Sequence, residues 1–580
     1  MRIKIMILAL TLIAFFSVKA QQTVKTKNLQ DSIYDIQDSV MIRTEDDTEI
    51  SAIVVRKKGN YEPKPTILQF TIYVRDGDRD LQSLKESADR GYIGVIAYTR
   101  GKRFSSSQIY PYEYDSKDAY TVIDWISRQP WSNGSIGMFG GSYNGFTQWA
   151  AAKNLHPALK TIVPYVANRP GMGLPMENNI FINPNYEWSF YVGNNRYLDH
   201  ETGDNRKRFR DLMFKWWESG APYNKMDSID GESNHLFQRW IGHPDFDIYW
   251  QKMAPYKEEF ARINIPILLF DGYYNDSQNS GLYYLRELGR YNPSAAAYLV
   301  IGPYSHFGTQ LGGQKIVNGY TVSKSALFPI KDYTYQWFDY ILKGGHRPGF
   351  LHDKINYQVM GTDQWKSAPS LDAMSNKSLK LYLSTVKKGN FYKMIENKPG
   401  KSEFLTQKVD FADRLTSNND YYPDPIIRDS LSSGNGFAFV SPRLDEDILI
   451  NGSFTGKINL RINKKDVDIG VTLYELTAEG KYFHLSYYIG RASYAKDMTK
   501  RQLLVAGKRE SLIFKNTHLI SKKLQKGSRL VIVLNVNKNP FSELNYGTGK
   551  IVSTESISDA SDPLVVDWFN SSYVEIPVLK

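Results

Sequence analysis

The chain has 580 residues, with 72 Lys and Arg against 61 Asp and Glu, 42% hydrophobic residues and no cysteine. Common domains hold about 100–200 residues, so several are expected, and the composition excludes a disordered or fibrous protein. The missing cysteine excludes disulfides, thiolate metal sites and a cysteine nucleophile. The +11 balance, +8 without Arg2, Lys4 and Lys19 (69 − 61), is dispersed with no long basic run, so no nucleic-acid partner is expected.

Residues 1–20 read as a leader: a basic start, an apolar stretch from Ile5 to Phe16, and Val18-Lys19-Ala20 before Gln21. About 12 apolar residues are too few for a bilayer-spanning helix, which needs about 20. A secreted or periplasmic protein is therefore expected, with no membrane association after cleavage. From Ser39 the chain predicts a hairpin turning at Asp46-Asp47, a buried strand over 64–73, a helix ending at Gly91 and a second buried strand at YIGVIAYT. A helix at DAYTVIDWISRQ, with Ala119, Val122, Ile123 and Ile126 on one face, precedes the strand SIGMFGG and the helix FTQWAAAKN. This alternation predicts a parallel sheet covered on both faces. Residues 154–264 are rich in Trp and Tyr and poor in strand runs, which predicts a mostly helical insertion. The alternation resumes with a strand over Ile265–Phe270, the helix SGLYYLRELGRY, the strand AAAYLVIGP and the helix DYTYQWFDYILKG. From 355 to 580, short alternating strands such as KINYQVMG, SLKLYLST and SRLVIVLNVN predict a β-sandwich.

Within Ser135–Gly145, an apolar strand runs through Gly140-Gly141-Ser142 into a helix. A serine on such a turn has strained backbone angles, its glycine neighbours let strand and helix approach, and its hydroxyl projects above the strand ends. The Tyr143 N–H, at the helix start, can donate to an oxyanion. A nucleophilic serine needs a base, and His306 follows the buried strand AAAYLVI directly, where a strand-end loop brings it beside Ser142. The acid that orients the imidazole should follow the preceding strand, where LLFDGYYNDSQ holds Asp271, Asn275 and Asp276. Asp76, Asp78 and Asp80 imitate a calcium loop, but Leu81 and Ser87 occupy its Gly and Glu positions, so a solvated turn is expected. No metal site and no cofactor are expected. Of Trp188, Trp216, Trp217, Trp240 and Trp250, an acyl-pocket lining and ordinary helical core are both open readings.

GGSYNG (140–145), the TIY of FTIYVRD (71–73), AYTRG (97–101), DGYYND (271–276), GPYSH (302–306) and YQVMGTDQW (357–365) together resemble the cocaine-esterase-like hydrolases. X-prolyl dipeptidyl peptidases, α-amino acid ester hydrolases and glutaryl-cephalosporin acylases are relatives in that group. The resemblance implies an α/β-hydrolase core (21–153 and 265–354), an inserted helical cap (154–264) and a C-terminal β jelly roll (355–580). It implies Ser142 as nucleophile, His306 as base and the Tyr73 phenol as a second oxyanion donor beside the Tyr143 amide. The family's triad Asp falls on Asn275, so a one-residue shift to Asp276 is favoured, with Asn275 as the alternative. Asn144 replaces the Glu of the amino-ester hydrolases, which weakens the case for an α-ammonium substrate. The expected function is an exported serine hydrolase that cleaves an ester, amide or short-peptide substrate. An X-Pro dipeptidyl peptidase and a catalytically impaired glycan- or peptide-binding protein are the alternatives, and a homo-oligomer is possible.

Overall fold

The computed structural model describes residues 31–59, 62–75 and 77–580, and the leader expected over 1–20 lies outside them. Strands β1 (Tyr34–Arg43) and β2 (Glu49–Lys57) form the expected hairpin, with Asp47 at φ +61° in its turn. β3 (Lys64–Thr71), α1 (Arg79–Asp89), β4 (Ile93–Tyr98), α2 (Asp115–Ser127), β5 (Ser132–Gly141) and α3 (Tyr143–Lys153) follow in the predicted alternation. Every residue of β4 is buried, as parallel strands covered on both faces require. α2 buries the predicted stripe Ala119, Val122, Ile123 and Ile126 against the sheet side.

The expected start of the cap at 154 is corrected, because β6 (Leu159–Tyr165) pairs in parallel with β5 inside the sheet. Lys160 and Pro164 interrupt its apolar run, and the pairing comes from a partner about twenty residues earlier. The insertion proper begins beyond Tyr165. It holds the hairpin β7 (Met176–Glu177) and β8 (Ile180–Phe181), then α4 (Pro184–Gly193), α5 (His200–Gly203), α6 (Arg206–Ser219), α7 (Met226–Asp230), α8 (His235–Ile241) and α9 (Ile248–Gln251).

The core resumes with β9 (Ile267–Tyr274), α10 (Gln278–Tyr291), β10 (Ala297–Ser305) and α11 (His306–Gln310). A small hairpin, β11 (Ile316–Val317) and β12 (Tyr320–Thr321), precedes α12 (Ile330–Lys343), β13 (Ile355–Gln358) and β14 (Trp365–Ala368). The ten-stranded sheet has the order β1-β2-β4-β3-β5-β6-β9-β10-β13-β14. It is parallel from β4 through β13, with antiparallel strands at both edges. The expected domain boundary at 354/355 is therefore corrected too: Ile355 lies in register with Leu299 of β10, so KINYQVMG extends the first sheet. Strand propensity is local, whereas the choice of sheet is not.

Beyond Ala368, fourteen strands between Lys377 and Leu579 form one hydrogen-bonded network, the predicted C-terminal β domain. Asp80 corrects the expectation of a solvated turn: it is buried in α1 and accepts from the Tyr98 hydroxyl at 2.7 Å. Among the described residues no helix is long and apolar enough to cross a membrane.

Candidate active site

The sheet order sets β5, β6, β9 and β10 side by side, so their C-terminal ends present one row of loops. In open parallel sheets this edge is where sites form. Ser142 stands at the end of β5 with φ +61° and ψ −120°, a conformation that costs on the order of 1–3 kcal/mol for a residue with a side chain. Neighbouring structure holds it there. Its N–H donates to Tyr165 O at 3.0 Å, and its carbonyl accepts from the Gly145 and Phe146 N–H groups. A Cβ on Gly145 would lie 2.8 Å from both Ala167 Cα and Tyr165 O, so the elbow needs glycine there.

Tyr73, just past β3, brings its hydroxyl to 3.4 Å from Ser142 Oγ. Trp188 of α4 donates its indole N–H to that hydroxyl at 3.3 Å. Burial raises the phenol's pKa, and hydrogen bonding to Ser142, Trp188 and the Tyr143 N–H offsets part of the rise. The phenol therefore stays protonated, with the Tyr143 N–H close to its oxygen. The Tyr143 ring is fixed from behind: its hydroxyl donates to the Asp115 carboxylate at 2.8 Å and accepts from the Tyr112 N–H at 3.0 Å. Of the five tryptophans, Trp188 reaches the site and stacks on Tyr112 and Tyr143, while Trp216, Trp217, Trp240 and Trp250 are buried in the insertion.

His306 is the first residue of α11. Its Nδ1 makes a 2.8 Å hydrogen bond with Asn275 Oδ1 and lies 3.2 Å from Asp276 Oδ1. The two residues weighed as alternatives thus both reach the ring. Asn275 makes the directed hydrogen bond, and the Asp276 carboxylate stands beside it as an ion-pair partner. Burial opposes the imidazolium, but Asp276 and Asp271 outweigh it and hold the His306 pKa above the ordinary histidine value. Asp276 shows the reciprocal effect: burial disfavours its charge, and His306 still holds its pKa below the ordinary value. Among the described residues no hydrogen bond joins His306 to Ser142. Their loops are nonetheless adjacent, because the Gln310 side chain of α11 packs directly on Gly141. Such bonds are often long before substrate binds.

A cavity of about 470 Å³ opens beside Asp276, between the insertion and the β domain. Apolar walls such as Tyr186, Leu212 and Phe541 carry the carboxylates of Glu177, Glu187, Asp276, Asp420 and Asp424, and among the described residues no Lys or Arg lines it. Asp420 is spoken for by Arg428 at 2.7 Å. Glu177 accepts from Asn279 at 2.9 Å and from Tyr487 at 3.3 Å. Burial raises the pKa of Glu187. Sequence reasoning missed Glu177, Glu187 and the contact of Asp115 with Tyr143, and no local pattern marks them.

The fold and this edge define a serine hydrolase of the α/β-hydrolase class with an all-β C-terminal domain. Residues 46–308 match the family model described as X-Pro dipeptidyl-peptidase (S15 family). Residues 350–560 match the X-Pro dipeptidyl-peptidase C-terminal non-catalytic domain. The chain belongs to the cocaine-esterase and X-Pro dipeptidyl-peptidase-like family of serine hydrolases. It is 22% identical to a cocaine esterase of Rhodococcus sp. (strain MB1 Bresler) over 95% of this chain and 100% of that one. An aminopeptidase from the marine sediment archaeon Thaumarchaeota archaeon superposes with a TM-score of 0.79 at 18% identity, covering 94% and 96% of the two chains. An α-amino acid ester hydrolase gives a TM-score of 0.74 at 19% identity over 97% and 100%.

Proposed function

We propose that the chain hydrolyses esters or amides of an acyl group bearing a free amine, through an acyl-enzyme on Ser142. The Ser142 hydroxyl attacks the acyl carbon while its proton passes to His306 Nε2. The Tyr73 hydroxyl and the Tyr143 N–H receive the oxyanion. Collapse of the tetrahedral species expels the alcohol or amine, which takes the proton from His306. Water then repeats the sequence and frees both the acid and Ser142. The observation that carries the hydrolytic part is the meeting of Tyr73 with Ser142 and of His306 with Asn275 and Asp276 on one sheet edge.

The amine preference rests on the cavity: several carboxylates, no Lys or Arg among its described lining residues and apolar walls beside the histidine's partner suit a compact ammonium on a short apolar acyl group. Asn144, where the amino-ester hydrolases carry Glu, is not among the residues lining this cavity and packs on Gly140, so the charge comes from other segments. The names of the relatives, an aminopeptidase, an α-amino acid ester hydrolase and an X-Pro dipeptidyl peptidase, agree with such a substrate. The leader over 1–20 supports export, with Gln21 as the mature N-terminus, which N-terminal sequencing of the exported protein checks.

The test pairs p-nitrophenyl esters and p-nitroanilides of free amino acids and X-Pro dipeptides with their N-acetylated counterparts. Tenfold or greater preference in kcat/KM for the free amine is expected, and equal rates refute the substrate class. Fluorophosphonate should label Ser142, and Ser142→Ala should abolish both turnover and label. Turnover that survives that substitution refutes the hydrolytic mechanism itself.

A further inference from the structure

The pair behind His306 is unusual because the ring's hydrogen-bond partner is an amide. An amide presents two nearly isosteric ends, and they do opposite things to an imidazole. Its oxygen makes Nδ1 carry the proton and leaves Nε2 free to accept one from Ser142. Its NH₂ group makes Nδ1 an acceptor, places the proton on Nε2, and blocks the transfer. An asparagine in this position serves a catalytic histidine only if something holds its amide the right way round.

Asp271 does so. It lies within β9, is 2% exposed, and its Oδ1 accepts the Asn275 Nδ2–H at 2.8 Å. The same Oδ1 accepts the Gly272 N–H at 2.8 Å, which fixes the carboxyl plane. On the other end, Asn275 Oδ1 accepts from the Ser277 N–H at 3.3 Å and from the Ser277 hydroxyl at 3.2 Å. A flipped amide would point NH₂ at an N–H donor and its oxygen at a carboxylate, two repulsive contacts in a site where Asn275 and Ser277 are fully buried. The other Asp271 oxygen packs against Gly281 of α10, where any side chain would displace it.

We propose that Asp271 is a positioning residue for hydrolysis: through Asn275 it sets the tautomer of His306, and Asp276 separately supplies the negative charge. The family's single triad carboxylate is thereby divided between two residues, an oriented neutral acceptor and an off-axis charge. This rests on His306 being the general base, as the proposed function has it. Asp271 acts in either protonation state, since Oδ1 accepts whether or not the other oxygen holds a proton. Burial raises its pKa to about 7, so both states occur near neutrality.

Two variants and one spectrum test it. Asp271→Leu removes the acceptor and should lower kcat about 10–10²-fold with KM within twofold. The loss of about 10⁴ known for a wrong tautomer is the ceiling. Asp271→Asn keeps an oxygen on the Gly272 N–H and on Asn275, and should stay within about threefold of wild type. In ¹⁵N-histidine-labelled enzyme, neutral His306 should show a protonated Nδ1 and a bare Nε2, with part of that signal moving to the opposite tautomer in Asp271→Leu. A folded Asp271→Leu enzyme with unchanged kcat and unchanged ring shifts overturns the proposal. If that variant does not fold, a loss above 10²-fold in folded Asp271→Asn overturns it, because charge rather than orientation would then be required. A fully active His306→Ala enzyme would instead refute the assignment of the base.

Discussion

Replacing Asp276 by Asn tests the division of labour around His306 most directly. The carboxylate lies 3.2 Å from Nδ1. At an effective dielectric of about 20, unit charges at that distance attract by about 5 kcal/mol. The Asp276 side chain is 33% exposed overall although Oδ1 itself is covered, so partial solvent screening reduces this to about 1–3 kcal/mol. One pH unit corresponds to about 1.4 kcal/mol, so the His306 pKa should fall by about 1–2 units in the variant. The base acts in its neutral form, so activity is lost as pH falls through this pKa. Lowering it moves the acid limb of kcat/KM to lower pH. The imidazolium formed during the reaction loses the same attraction, so the plateau rate should drop about 10–10²-fold. That is well short of the 10⁴ seen when an Asp-to-Asn change also inverts the tautomer, because the Asn275 hydrogen bond remains. The assay is kcat/KM for an activated ester between pH 4 and 9. An acid limb that stays in place, or a plateau loss near 10⁴, would refute the separation of charge from orientation.

Tyr73→Phe removes one of the two oxyanion donors and should cost 10²–10³-fold in kcat, with KM nearly unchanged and Ser142 slower to label. Gly145→Ala drives a Cβ into the backbone at Ala167 and Tyr165, so a loss of about 1–3 kcal/mol should appear as a lower Tm together with reduced turnover. Burial raises the Asp115 pKa to about 7 from 3.8, so the folded state binds a proton that the unfolded state has released between about pH 4 and 7, and stability falls as pH rises across that window. Asp115→Asn keeps an acceptor for the Tyr143 hydroxyl and should flatten that part of a Tm-versus-pH curve, whereas an unchanged slope would exclude Asp115 as its source. Asp271 titrates in the same window, so the difference between the two proteins is the quantity to read.

The features legible in the sequence are those set by contiguous residues. The hairpin at Asp46-Asp47, the stripe of α2 and the elbow at Ser142 each rest on one short segment, and each lies where its pattern put it. β6 escaped because Lys160 and Pro164 break its apolar run, and β13 was given to the wrong sheet because KINYQVMG carries strand propensity without naming a partner. The predicted strand ended at Phe270, yet β9 runs to Tyr274, which places Asp271 inside the sheet, four residues from Asn275. Asn275 and Asp276 are not separable in the sequence for a physical reason: both reach the ring, and Asp271 in turn bonds Asn275.

The cavity was illegible for a further reason, which bears on the C-terminal domain. Its carboxylates come from β7, α4, the loop after β9 and residues 420–424, so no window of sequence contains them. Glu177 is held by Asn279 of the core and Tyr487 of the β domain. The adjoining hairpin is clamped by reciprocal bonds between Phe181 and Glu543, whose carboxylate also pairs with buried Arg491. Gln278, three residues after Asn275, exchanges two hydrogen bonds with the backbone of Leu519. The β domain supplies neither Ser142 nor His306, but it braces the loop that carries Asn275 and Asp276 and builds one wall of the cavity. Breaking the Glu543–Arg491 clamp should therefore weaken discrimination between free and acetylated amines before it touches the attack by Ser142. Glu543→Gln assayed on both substrate series separates those two effects.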